Sequence, residues 1–414
     1  MKVYVINKYG RPLMPCSPRT ARLLLRDKAA KVIKRDPFTI KILVGVKGYT
    51  QDLTLGIDPG SRYIGSAVRD DKNQAYYLSQ VEQRTDVKAK MDQRRMYRRT
   101  RRNRKTRYRK PRFMNRKAST KDDRYPPTIE SKYRAIVREI NFVCDILPIK
   151  KLYIETSKFD TSALTNPNVL KYHWLYQRGP QLGFYNTKAY ILSRDTYTCQ
   201  YCKNKRKDSR LHVHHIQPKS QGGTDQPNNL ITLCESCHDD LHKKKIVLNT
   251  KHLKAVKTNL KHATQMNILC SMIMKRFVPG SYTETFGGIA KGVREHFQYP
   301  KEHYWDAFFG SFENGNEPKL LVDRVLMKKC VAKGSYQLTN GRRSEKRLPT
   351  GKIDGFKRWD KVLYQNTSYF IKGRMSTGYA ILCDVFGVKA NLKPIPKFNK
   401  MTRIGARDSW IMTT

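Results

Sequence analysis

Residues 199–242 contain four fragments, CQYC (199–202), HVHHIQPKSQGG (212–223), NNL (228–230) and LCESCHDDLH (233–242), and the reading of the whole chain turns on them. Cys199/Cys202 and Cys234/Cys237 are two Cys-x-x-Cys knuckles, the spacing with which two thiolates each grip one tetrahedral zinc. Together they complete a closed four-sulfur site. Such a site leaves no open coordination position, so the zinc is expected to staple the fold and do no chemistry. The chemistry is expected between and after the knuckles. His214 and His215 end a strand-like run, LHVHHI. A Pro/Gly loop follows, then Asn229, then a helix with His238 and His242 one turn apart on one face.

This order resembles the zinc-stapled HNH (ββα-metal) endonucleases. The resemblance implies that His215 is the general base and that His214 and His238 bind a catalytic divalent ion. Asn229 would tie the loop and orient the base. His242 is similar to the extra histidine of bacteriocin-type members and would join the metal ligands. A histidine at 214, where many relatives have Asp, keeps a ligand and shifts preference towards transition metals. A zinc ribbon that binds nucleic acid without cutting it is the alternative.

Composition narrows the partners. The 414 residues allow two to four domains, and 39% apolar content supports a core. With 83 Lys+Arg against 34 Asp+Glu, the formal charge is +49, which demands a large polyanion. A basic membrane-surface protein would need an amphipathic stripe or lipidation motif, and neither is found. MKVYVINKYG does not read as a signal peptide, and no run reaches the roughly 18 apolar residues of a membrane span. Cys16, Cys144, Cys270, Cys330 and Cys383 are scattered single thiols, so a reducing cytoplasm and no disulfide framework are expected.

Taken in order, residues 1–51 form a small basic αβ unit, with PLMPCSP (12–18) before a helical TARLLLRDKAAKVI (20–33). From 52, DLTLGIDPGSRYIGSAVRDDKNQAYYLSQVEQR reads as three antiparallel strands, with Asp58 at the end of the first. Residues 94–117, RRMYRRTRRNRKTRYRKPRFMNRK, contain no acid. Wound as a helix, Arg94, Arg95, Arg98, Arg99, Arg101, Arg102, Arg104 and Lys105 point in all directions, and Arg107 and Arg109 continue the run. Such a helix holds only among phosphates; an arm that folds on nucleic acid is the other reading. A helix over 128–147 puts Ile136, Ile140, Val143 and Leu147 on one side, and KKLYIE is a strand ending in Glu155. Residues 160–189 read as a linker. After His242 a basic helical stretch runs to about 278. KEHYWDAFFG then places His303 and Asp306 at i and i+3, able to face one site. From 321 the chain is strand-rich and Gly-punctuated, as in a small barrel-like domain.

GIDPGSRYIG, the strand ending in Glu155, and His-x-x-Asp-Ala at 303–307 resemble the three RuvC motifs. With the HNH insert, the basic helix and the PLMP segment, the chain resembles the IscB family of transposon-associated RNA-guided nucleases over essentially its whole length. The implied fold is α/β: an RNase H-like (RuvC) domain split in sequence, an inserted zinc-stapled HNH domain, an arginine-rich bridge helix and a β-rich C-terminal domain. The implied boundaries are 1–51 (PLMP segment), 52–93, 118–189 and 251–320 (RuvC with linker), 94–117 (bridge helix), 190–250 (HNH) and 321–414 (target-adjacent-motif domain). Asp58, Glu155 and Asp306 would hold Mg²⁺ (or Mn²⁺), with His303 assisting. The arginine-rich helix would grip a structured guide RNA (omega RNA), and the C-terminal arginines would read a DNA motif. RRSEKRLPTGKI and the block from GFKRWDKV to STGYA carry that last resemblance, with a plain phosphate-binding barrel as the alternative. The expected partner is double-stranded target DNA, and the expected particle a monomeric ribonucleoprotein in a prokaryotic cytoplasm, at the nucleoid. A DNA-only nuclease and a noncatalytic nucleic-acid binder remain as readings of other classes.

Overall fold

The structure, a computed structural model, describes residues 2–45, 48–102, 124–221, 223–248, 260–277, 280–313, 315–322, 324–332, 353–375 and 377–413. The chain is mixed α/β and divides into two compact units, residues 1–157 with 265–414 and residues 158–264.

The first unit opens with a four-stranded sheet in the order β2-β1-β4-β3: β1 (Val3–Ile6), β2 (Pro12–Cys16), β3 (Ala30–Lys34) and β4 (Thr39–Ile42). Helix α1 (Pro18–Arg26) starts at Ser17, whose Oγ accepts from Thr20 N–H. The expected helix over 20–33 is corrected here. Asp27 N–H closes the helix on Leu23 O, and Lys28 takes a left-handed φ of 55°. Ala30 and Val32 then pair with Ile42 and Ile40. Ladder pairing of β-branched residues outweighs the helix preference of Ala and Lys in this stretch.

The main sheet runs β11-β8-β5-β6-β7-β13-β18, with β12 paired to β7. β5 (Leu53–Pro59), β6 (Tyr63–Arg69) and β7 (Gln74–Glu82) are antiparallel, and β8 (Ile149–Glu155) joins β5 in parallel. Alternation along β5 and β6 sends Leu53, Leu55, Ile57, Ile64 and Val68 into one core with Ile136, Ile140 and Val143 of α3 (Pro127–Cys144). Leu269 and Ile273 of α7 (Lys261–Arg276) fill the same core. The opposite face receives α8 (Gly287–His296) and α9 (His303–Gly310) through buried Trp305, Phe308 and Phe309. Backbone contact is closest at two glycines. A Cβ at Gly56 would lie 2.0 Å from Ala307 O, and one at Gly65 only 1.9 Å from His303 O. Glycine lets α9 lie directly on the sheet and sets the depth of His303 and Asp306.

The stretch from 321 onward does not stand apart as a barrel. β13 (Leu326–Cys330) and β18 (Trp410–Thr413) extend the main sheet, with β11 (Thr283–Thr285) at the other edge and β12 (Lys319–Leu320) on β7. Lys328 of β13 is buried with Glu139 of α3, Nζ to Oε2 2.7 Å, and Glu139 also accepts from Ser66, Tyr77 and Ser79. A buried pair this well bonded anchors β13 strongly, because losing either partner strands a charge. Between these strands lies an open four-stranded sheet, β16-β15-β14-β17, built from β14 (Lys361–Tyr364), β15 (Thr367–Arg374), β16 (Ala380–Cys383) and β17 (Thr402–Gly405). Most of RRSEKRLPTGKI lies outside the described residues.

In the second unit the expected linker carries α4 (Thr161–Thr165), two short 3₁₀ turns and α5 (Thr187–Arg194). It belongs to the same compact body as the β-hairpin of β9 (Leu211–His215) and β10 (Leu230–Cys234) and the helix α6 (Glu235–His242). Among the described residues no helix is long and apolar enough to cross a membrane.

Candidate functional site

The second unit builds its site on the hairpin and α6. After CQYC the chain turns through left-handed Lys203 and Asn204, and Cys199 N–H donates to Asn204 Oδ1. Cys234 caps α6 and Cys237 lies within it. The four sulfurs lie within 4.8 Å of one another, with Cys202 and Cys234 3.7 Å apart. Four zinc–sulfur bonds of about 2.3 Å in a tetrahedron place sulfurs roughly 3.8 Å apart, so the cluster fits structural zinc. Because α6 also carries His238 and His242, the sulfur site fixes the helix that presents them.

On β9, alternation puts His212 and His214 on one face and His215 on the other. His214, His238 and His242 bring ring nitrogens within 4.8 Å of one another, and the Nε2 atoms of His238 and His242 are 3.3 Å apart. Burial first, then the neighbouring imidazoles, lower His214 to about 4. It is therefore neutral near pH 7, the form that ligates metal. Three imidazole nitrogens at this spacing suit a divalent transition metal. His242 lies within the same spacing as His214 and His238. His212 was missing from that set. Its ring stacks on His238 at 5.0 Å, and its Nε2 is buried with no hydrogen-bond partner. Its place two residues before His214 on a strand was the signal.

His215 Nε2 is 2.7 Å from Asp225 Oδ1. With the carboxylate accepting, the imidazole donates through Nε2 and keeps Nδ1 as its basic nitrogen. Asp225, which also binds Lys219 Nζ at 2.8 Å, is a residue that sequence reasoning missed. Asn229 is fully buried. Its Oδ1 accepts from Gln217 N–H at 2.9 Å, and its Nδ2 donates to Thr224 O at 2.7 Å and Gln217 O at 3.1 Å. It pins both ends of the 217–224 loop beside the strand end that holds His215.

In the first unit, Asp58 lies near the end of β5, Glu155 ends β8, and His303 and Asp306 share the first turn of α9. His303 Nδ1 is 2.5 Å from Asp58 Oδ2. That bond raises His303, while burial raises Asp58. Burial first, and then the charge of Asp58, push Glu155 up to about 7, with Asp306 adding to the effect. Ile57 of β5 pairs with Ile154 of β8, so Asp58 and Glu155 stand on neighbouring strand ends, with His303 bonded to Asp58. Ser157 Oγ donates to Glu155 Oε1 at 2.8 Å. Among the described residues, the three carboxylates do not gather their oxygens as tightly as the histidines do. Asp306 is held by buried Arg294, Nε to Oδ1 2.9 Å, which also donates to Tyr299 O. Arg294 had no motif to announce it.

The basic helix is α2 (Val87–Arg102), on which Arg94, Arg95, Arg98 and Arg99 are exposed. Arg101 and Arg102 end it, whereas Arg104, Lys105, Arg107 and Arg109 lie outside the described residues.

Residues 3–179 match the family described as RRXRR protein, a span that includes Arg98-Arg99-Thr100-Arg101-Arg102. Residues 199–244 match the family described as HNH endonuclease. The chain is similar to the type IV methyl-directed restriction enzyme EcoKMcrA of Escherichia coli strain K12, 34% identical over 85 residues. That stretch is 19% of this chain and 28% of the enzyme, so less than a third of that relative is spanned. It is also similar to anaredoxin of a Nostoc species, 36% identical over 53 residues, 13% of this chain and 67% of that protein.

Proposed function

Starting from a chain that carries an HNH endonuclease domain, we propose that it is an RNA-guided DNA endonuclease of the IscB type with two independent cutting centres. What supports the reading is the bond of His303 to Asp58, with Glu155 on the neighbouring strand end and Asp306 on the helix turn of His303, in a chain that also holds a histidine triad. One centre is the HNH site; the other is an RNase H-like (RuvC) site whose domain the HNH unit interrupts.

In the HNH centre, His214, His238 and His242 would hold a divalent cation, which neutralises charge on the phosphodiester as it becomes pentavalent. His215, oriented by Asp225, takes the proton of the attacking water at Nδ1. Asn229 keeps the loop from drifting. In the other centre Asp58, Glu155 and Asp306 would hold Mg²⁺ or Mn²⁺. His303 holds a proton against Asp58 and can pass it at Nδ1. The similarity to a restriction enzyme supports DNA as the substrate.

RNA guidance rests on the exposed arginines of α2, set against a single acid, Asp92, and on a net charge of +49 that one short duplex would not neutralise. The HNH centre would cut the guide-paired strand and the other centre the displaced one. Purification from a bacterial host followed by sequencing of bound nucleic acid tests this. A discrete structured RNA is expected, and duplexes matching its guide segment should be cut. Protein that is free of RNA and still digests duplex DNA would overturn it.

A further inference from the structure

We propose that residues 159–185 form a stacking platform for unpaired nucleotides of the DNA substrate, an inference that rests on the nuclease reading above. The segment is ordered by its own hydrogen bonds. Asp160 caps α4 through Ala163 N–H and accepts from the Tyr176 hydroxyl, while Tyr172 N–H and Arg178 N–H close turns on Asn168 O and Trp174 O. Val169 is the buried anchor. Along the segment the aromatic residues face solvent: Trp174 is 57% exposed and Tyr185 96%, with Tyr172, Tyr176 and Phe184 also exposed. Aromatic surface left exposed along one hydrogen-bonded segment points to a partner.

Charge identifies the occupant. No acidic residue occurs between Asp160 and Asp195, whereas Lys171, Arg178 and Lys188 do, and Lys171 Nζ lies 5.4 Å from the Tyr172 ring centre. Rings interleaved with cations and no acid suit bases on a phosphate backbone. A duplex hides the faces of its bases, so the strand must be unpaired. The segment belongs to the same compact unit as the histidine triad, which selects DNA over RNA.

The test uses full-length protein with no divalent ion added and follows indole fluorescence during titration with a short oligothymidylate. Trp174 is one of four tryptophans, and Trp305 and Trp410 are buried, so the difference between wild type and Trp174→Phe isolates its signal. A saturable quench is expected in wild type and absent from Trp174→Phe. Its midpoint should weaken roughly tenfold in Tyr185→Ala, the scale of one lost base–ring stack. An abasic strand of equal length, which keeps the charge, should give no quench. Identical quenching in wild type and Trp174→Phe overturns the proposal, as does an equal response to the abasic strand or to oligouridylate. A Trp174 signal blind to every strand also overturns it, and would mean that another protein surface covers the patch. Cleavage of a guide-matched duplex by the same preparation is read in a separate assay, with Mg²⁺ and guide RNA supplied. Cleavage without quenching sinks the platform alone, and quenching without cleavage sinks the nuclease reading alone.

Discussion

Replacing Asn229 with alanine should release the 217–224 loop while leaving the zinc knuckles intact. The substitution deletes three side-chain hydrogen bonds, to Gln217 N–H, Gln217 O and Thr224 O, at a residue with no solvent exposure. A typical net bond contributes about 1 kcal/mol, and a buried group left without a partner costs about 1–3 kcal/mol. Three such losses come to about 3–5 kcal/mol of local stability, or roughly two to four orders of magnitude in amide protection. Hydrogen exchange read by mass spectrometry on peptides spanning 217–224 measures this directly. Asn229→Asp keeps the acceptor for Gln217 N–H but turns a carboxylate towards two carbonyl oxygens, so it should protect no better than alanine. Zinc content should stay unchanged in both, and cutting by the HNH centre should fall with protection. Native-like exchange of these peptides in Asn229→Ala would refute the reasoning, because the loop would then be held by something else.

Gly65→Ala forces a Cβ to within 1.9 Å of the His303 carbonyl oxygen, so α9 must shift. Overpacking of that kind typically costs about 1–3 kcal/mol, and chemical denaturation should show it together with loss of the Asp58–His303 contact. Cys237→Ser should remove the staple and loosen α6, read as loss of bound zinc and of exchange protection at 235–242. Acidity gives a further check in protein without added divalent ions. Glu155 is raised from 4.5 to about 7 by burial and Asp58, so the native state binds the extra proton. Its stabilising contribution is complete below 4.5 and is lost as pH rises through 7. Wild type should lose stability relative to Glu155→Gln across that window, and parallel pH profiles would contradict the assignment.

Much of this was legible because zinc knuckles and i, i+4 histidines are local patterns. CQYC, HVHH and CESCHDDLH each specify a strand end or helix face, and the structure brings their ligands together. Asp58, Glu155 and Asp306 carried only weak signals one by one and gained meaning from their order. What escaped depends on tertiary contacts. Asp225 and Arg294 hold His215 and Asp306 across folded turns, with no motif spacing to link them. The strand at 30–34 exists because β4 pairs with it, and β13 joins the main sheet through Lys328 and Glu139. The 160–189 stretch reads as a linker from its Asn, Tyr and Gly content, and most of its large aromatic residues face solvent.

Cleavage of a target duplex labelled separately on each strand, by ribonucleoprotein carrying either His215→Ala or Asp58→Asn, reaches the central claim most directly. Each variant should nick one strand only, His215→Ala sparing the guide-paired strand and Asp58→Asn the displaced one. If either substitution abolishes both cuts, or leaves both intact, two separate centres do not exist in this chain.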